Sequence, residues 1–183
     1  MALPPDYLAA LGPLADAFAA YESATGSVAV LVGGAAAAIH TDGEFMSADF
    51  DVVAPYDRAF AKAMDAAGFV DDDKAVHGLN GWYHPDHPQF AVEQVSGGYF
   101  DGQGEKERCL KISVRDGSAI VLPAIEDMIA DRLGQHEVAG GDLSMLEQAK
   151  ALYAMANGLD VSYLFRRITE EGGNPTHLGL STD

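Results

Sequence analysis

Basic residues are scarce: 11 Lys and Arg stand against 28 Asp and Glu, a formal net charge of −17 over 183 residues. A protein that grips a long stretch of DNA or RNA presents a basic face, because counterion release drives that binding. Here the basic residues are scattered and the global field repels a polyanion, which argues against extended DNA or RNA binding. Cysteine is nearly absent. Cys109 stands alone, so no internal disulfide forms and the expectation is a reducing compartment, the cytoplasm. Long apolar runs are missing too: the longest, residues 28–39, holds two glycines and falls short of the ~20 residues that cross a bilayer. No membrane association is therefore expected. The first residues carry Asp6 and no basic residue, unlike a secretory signal. Internal repeats, low-complexity tracts and obvious linkers are lacking as well.

What is present is a globular mixture, 48% apolar and 21% charged, in a chain able to bury roughly 70% of its unfolded surface. Leu8, Leu11, Leu14 and Phe18 predict an amphipathic helix over residues 6–21, broken by Gly26. Residues 27–32 read as a buried strand. Gly33-Gly34 then turns the chain into a short alanine-rich helix over 35–40. Residues 48–53 alternate: Ala48, Phe50 and Val52 share one face, Asp49 and Asp51 the other. Pro55 opens a helix over 56–67, closed by Gly68. Residues 69–121 are strand-like with turns, 81–84, 90–95 and 108–114 being the best segments. Pro123 starts a helix running through Leu133, and Asp142 and Asp160 cap two more, to about Met155 and Gly172. This order predicts an α/β core over residues 1–122 and a C-terminal helical extension over 123–183, packed on the core.

The informative stretch is the buried strand, Gly33-Gly34, a helix, and then Ser47-Ala-Asp49-Phe50-Asp51-Val52. Glycines let the backbone approach a phosphate closely, and the helix start offers unpaired N–H groups and a positive dipole end. Ser47 adds a hydroxyl donor. Asp49 and Asp51 leave the same strand face, where like charges repel unless water or a cation separates them. Magnesium suits such a pair, because it takes oxygen ligands and keeps substrate phosphates in its shell. Nucleotidyl transfer requires mainly positioning and charge neutralisation.

These motifs are similar to the signature of the nucleotidyltransferase superfamily of polymerase-beta type: an apolar strand, Gly-Gly or Gly-Ser, a spacer, then Asp-x-Asp. The resemblance implies a mixed sheet flanked by helices and a third metal-binding acid on a later strand. Glu93, in Phe90-Ala-Val-Glu93-Gln-Val, is the matching candidate. By alternation it shares a face with Ala91 and Val95. The spacer from Gly34 to Asp49 is longer than usual, with Asp42-Gly43 as the expected loop. Basic residues are missing from the strands concerned, which leaves Arg132 and Lys150, on the C-terminal helices, as candidates to hold a triphosphate.

The likeness extends over roughly residues 28–172 to small bacterial nucleotidyltransferase-like proteins, through Tyr83-His84-Pro85-Asp86, Ala124-Ile-Glu126-Asp127, Asp131-Arg132-Leu133, Asp142 and Leu146-Glu147-Gln148-Ala149. Relatives in that group include abortive-infection toxins, which implies a toxin–antitoxin role with a cognate antitoxin or partner protein. The expected activity is magnesium-dependent transfer of a nucleoside monophosphate from a nucleoside triphosphate to a hydroxyl on an acceptor the sequence does not name: tRNA, protein or small molecule. The alternative is an inactive member acting as a binding module through a protein partner.

Other groups carry blander readings. His77, His84 and His87 cluster near two prolines and lack an evident third or fourth zinc ligand beyond Asp86. Asp71-Asp72-Asp73 lacks the spacing of a calcium loop. Cys109 has no paired histidine motif for nucleophilic chemistry. Glu126 and Asp127 sit in a first helical turn, where the dipole favours acids.

Overall fold

Helical periodicity at the N-terminus is realised at greater length than the apolar spacing predicts. The computed structural model describes residues 2–72, 80–96 and 98–181. Helix α1 (Pro5–Thr25) opens on a proline, whose missing N–H costs nothing in a first turn. It closes at Gly26, which takes a φ of 70° and donates its N–H to the Glu22 carbonyl. Leu11, Leu14 and Phe18 are buried as expected, while Leu8 is 49% exposed, so the apolar stripe is one residue narrower than the spacing suggests.

Strand β1 (Val30–Val32) is shorter than the predicted 27–32, and helix α2 (Gly33–His40) begins on the two glycines rather than after them. Strand β2 (Asp49–Val53) and helix α3 (Asp57–Ala66) follow. Strands β3 (Val70–Asp71), β4 (Asn80–His84) and β5 (His87–Ser96) complete a five-stranded sheet of order β1-β2-β5-β4-β3. β2 and β5 are parallel, and every other neighbouring pair is antiparallel. Strands β6 (Leu110–Arg115) and β7 (Ser118–Leu122) form a separate hairpin. The sequence reading singled out no strand over β7, although Asp116-Gly117 between two apolar segments is a hairpin signal; Gly117 takes a φ of 79° there.

Alternation assigns the two faces of the sheet. Phe50, Val52, Trp82 and Val92 are buried on one of them. Edge-to-face rings join that layer to the helices above it: Phe60 on α3 meets Trp82 at 5.6 Å and Tyr21 on α1 at 5.7 Å, and Tyr7 meets Phe50 at 5.2 Å. Helices α4 (Ile125–Val138), α5 (Leu143–Met155) and α6 (Val161–Glu170) pack on one another, and α4 and α5 reach α2. Asp142 and Asp160 cap α5 and α6 as expected, accepting from Ser144 and Tyr163 N–H groups. One contiguous apolar core runs from Tyr7 to Ile168. The fold is thus mixed α/β, a mixed sheet flanked by helices. No described helix is long and apolar enough to cross a membrane.

A polar knot ties α4 and α6 to the turn after β5. Asp127 lies in the first turn of α4, as expected, and is fully buried opposite the equally buried Arg167. Its Oδ1 accepts from Arg167 Nε at 2.7 Å and from the Tyr163 hydroxyl at 2.8 Å, and its Oδ2 accepts from the Tyr99 hydroxyl at 2.9 Å. Arg167 also donates to Glu170 at 2.6 Å and to Glu171. Burial opposes its charge, but bonds to Glu170, Asp127 and Glu171 outweigh that and hold the guanidinium firmly protonated. Removing one partner of a buried ion pair leaves an uncompensated charge, worth about 3–5 kcal/mol. Arg167→Met is therefore expected to lose about that much stability in urea unfolding; a loss under about 1 kcal/mol would show that the knot does not organise the helices.

Candidate active site

The site starts from two glycines. Gly33 takes a φ of 65°, and a Cβ placed on it would lie 2.1 Å from Asp51 Oδ2. A Cβ on Gly34 would lie 2.9 Å from Ser47 Oγ. Only glycine at both positions lets the Asp51 carboxylate and the Ser47 hydroxyl sit against the first turn of α2. The chain from α2 to β2 reverses at Asp42-Gly43, with φ values of 51° and 82°, and this turn absorbs the long spacer. Ser47 then fixes the entry to β2, donating to the Asp49 carbonyl at 3.1 Å.

Strand register brings the acids together. In the parallel β2–β5 pair Asp51 lies opposite Glu93, and in β1–β2 Val32 lies opposite Asp51. One row across three strands thus reads Val32, Asp51, Glu93, and it leads directly into Gly33. Asp49 stands one pleat repeat away on the same face, opposite Ala91. Burial raises the Asp51 carboxyl above its usual range, the charges of Glu93 and then Asp49 raise it further, and Arg132 opposes them. The three carboxylates therefore act on one another as a cluster.

Asp51 also lines a cleft of about 280 Å³. Val32, Val53 and Val95 form the sheet side; Phe100, Asp131 and Glu171 form much of the other, joined by Asp101 and Gln135. Phe100 and Asp101 hold φ values of 44° and 52°, a backbone state costing on the order of 1–3 kcal/mol each that surrounding packing must sustain. Asp131 and Glu171 are both raised above the usual carboxylate range, first by burial; Asp131 and Asp101 add to the effect at Glu171. No Lys or Arg is among the described residues lining this cleft.

Of the predicted residues, Gly33, Gly34, Ser47, Asp49, Asp51 and Glu93 are brought to one place. Arg132 is buried on α4 and its charge reaches Asp51. Its Nη1 donates to Gln135 at 2.9 Å, whereas Nε and Nη2 have no hydrogen-bond partner. Lys150 is exposed on α5 and lines none of the cleft. Asp101, Asp131, Gln135 and Glu171 were not anticipated as cleft residues. A signal existed for two of them: Asp127, Asp131 and Gln135 recur at every fourth residue of α4, a polar stripe on a helix whose Met128, Ile129 and Leu133 are buried.

The remaining candidates stay apart from this centre. His84 and His87 pack ring to ring at 5.6 Å, with no third ligand within reach among the described residues, and His77 and Asp73 lie outside the described residues. Burial pushes the Cys109 thiol up, away from the thiolate a nucleophile needs.

No protein-family model matches the chain, and no curated protein matches it. Its fold matches the crystal structure of an antigenic nucleotidyltransferase-like protein from Paracoccidioides brasiliensis, with a TM-score of 0.60 and 14% identity over 93% of this chain and 89% of that one. At that identity the likeness concerns architecture, and the chain has a nucleotidyltransferase-like fold.

Two outcomes follow for stability. Because burial raises the folded pKa of Asp51 above its unfolded value, its ionised form destabilises the fold at neutral pH, and the penalty fades as pH falls through the raised folded pKa and is gone below the unfolded value of ~3.9. Without divalent ions, Asp51→Asn is expected to raise Tm at pH 7 by about 2–4 °C, a gain on the order of 1 kcal/mol, and to lose the advantage below about pH 4. A calorimetric scan showing lower stability for the variant would contradict this. Gly33→Ala, strained at its φ and in collision with Asp51, is expected to cost on the order of 1–3 kcal/mol in the same scans.

Proposed function

We propose that the protein is a magnesium-dependent nucleotidyltransferase that moves a nucleoside monophosphate from a nucleoside triphosphate to an acceptor hydroxyl. The observation that carries the reading is the row in which Asp51 and Glu93 pair in register beside the Gly33-Gly34 turn. The donor set fits the ion: the three residues offer carboxylate oxygens, and the Asp51 carboxyl is raised by burial and then by the charges of Glu93 and Asp49. Asp49, Asp51 and Glu93 would hold magnesium, which supplies Lewis acidity at phosphate oxygens when bound.

The chain's own groups do the rest. Gly33 and Gly34 carry no side chain of their own at the start of α2, so Asp51 and Ser47 sit against its first turn, where a phosphate would meet its N–H groups. Ser47 offers a hydroxyl donor beside them. Glu93, as general base, would accept the proton of the attacking hydroxyl. Arg132 supplies the cation whose charge reaches Asp51, and its Nε and Nη2, buried without a partner, are the donors a triphosphate would engage.

A second reading is favoured by one observation. The described lining of the cleft offers carboxylates and no cation, which suits a module that keeps the fold and acts through a protein partner without transfer. A toxin–antitoxin role with a cognate antitoxin rests on the resemblance of residues 83–86, 124–133 and 142–149, and a cytoplasmic location on the lone cysteine.

Calorimetric titration of the four ribonucleoside triphosphates, with and without magnesium, separates the two readings. Magnesium-dependent binding that Asp49→Asn/Asp51→Asn abolishes is the expected result, and Arg132→Met should weaken it about 10- to 100-fold, the worth of a hydrogen bond to a charged group. A folded protein that binds none of the four triphosphates overturns the transferase reading in favour of the partner-binding one.

A further inference from the structure

Away from the cleft, the end of α4 meets the C-terminal turn Pro175–Leu178 through three potential metal ligands. One ligand atom each from His136, Glu137 and His177 fall within 4.8 Å of one another. His177 Nε2 stands 3.1 Å from Glu137 Oε1, and the His136 and His177 rings meet at right angles, 5.1 Å between centroids. With metal–ligand bonds of ~2.0–2.2 Å, two ligands on one tetrahedral ion stand roughly 3.3 Å apart, so this pair needs almost no adjustment.

The tautomer is set from outside the cluster. His136 Nδ1 lies 2.7 Å from the Asp142 carbonyl oxygen, which accepts only, so Nδ1 carries the proton. Nε2 is left with the lone pair, and the ring's one hydrogen bond among the described residues is the one at Nδ1. A histidine whose Nδ1 donates to a backbone carbonyl keeps Nε2 as its ligand nitrogen, the arrangement that orients histidines on metals. Hydrogen bonds account for the His177–Glu137 contact and for His136 Nδ1, and neither engages His136 Nε2.

We propose that His136, Glu137 and His177 form a binding site for a divalent transition metal of the zinc class, with a fourth position open to water. Two imidazoles and one carboxylate favour zinc, cobalt or nickel over magnesium, so the site is chemically distinct from the all-carboxylate cluster on β2 and β5. A metal there would clamp three segments: the end of α4, the turn into α5 that supplies the Asp142 carbonyl, and the C-terminal turn.

The test titrates Co²⁺ and Zn²⁺ into chelator-treated protein carrying Asp49→Asn/Asp51→Asn, which removes the other cation cluster from the reading. One equivalent of Co²⁺ with tetrahedral visible absorption, displaced by Zn²⁺, is expected. Zn²⁺ at 100-fold above its Kd should raise Tm by about 5–10 °C. His177→Gln keeps an amide donor for Glu137 while removing the ligand nitrogen, and should weaken binding at least about tenfold with unchanged circular dichroism. Absence of Co²⁺ binding, or binding that His177→Gln leaves intact, overturns the site.

Discussion

A single buried ion pair decides how the helices stand over the sheet. Arg167 and Asp127 are both sealed from solvent, and two bare charges there would be untenable. They are tolerated because Asp127 accepts from three donors and Arg167 meets three carboxylates. The groups that satisfy them come from elements far apart in sequence. Tyr99 lies in the turn after β5, Tyr163 and Glu170 lie on α6, and the Arg167 guanidinium stands over the Phe100 ring at 5.5 Å. Such a pair adds little net stability over an apolar replacement. Its effect is geometric: α4, α6 and the strained Phe100-Asp101 turn are held in one arrangement, and that arrangement is the far wall of the cleft.

The near wall obeys a different constraint, the pleat. Asp51 and Glu93 meet because parallel pairing places them in one register row, and a slip of one residue would turn Glu93 into the buried layer now filled by Val92 and the hydrogen-bonded Gln94. The ring contacts of Phe50 with Tyr7 and Phe90 hold that register from the opposite face. Core packing on one side of β2 thereby positions the carboxylates on the other, and the glycines of α2 supply the space that the carboxylates need.

The near wall was legible in the sequence and the far wall was not, for physical reasons. Strand alternation and a glycine pair are local signals, so Asp49, Asp51, Gly33, Gly34 and Ser47 could be placed together from spacing, and the resemblance supplied Glu93 across a long connection. Asp127 looked like a dipole-favoured first-turn acid because nothing local announces burial; its partner is 40 residues away. Glu171 and Asp131 entered the cleft only through that pairing. The β7 strand was overlooked although its turn dipeptide was visible. Lys150 illustrates the converse: a basic residue on a plausible helix, left exposed on the surface.

Charge joins these walls into one argument. Every resolved shift among the carboxylates of the cleft is upward, with burial as the leading cause and neighbouring acids adding at Asp51 and Glu171. An isolated fold would relieve such repulsion by exchanging an acid for an amide at no cost to packing. Under the proposed function, a cation bound among them would offset the mutual repulsion but not the burial that leads each shift. The same logic bears on the overall charge of −17. A strongly negative surface disfavours approach of a polyanion. The acidic surface and the acidic cleft therefore act in the same direction, against the approach of bare polyanions.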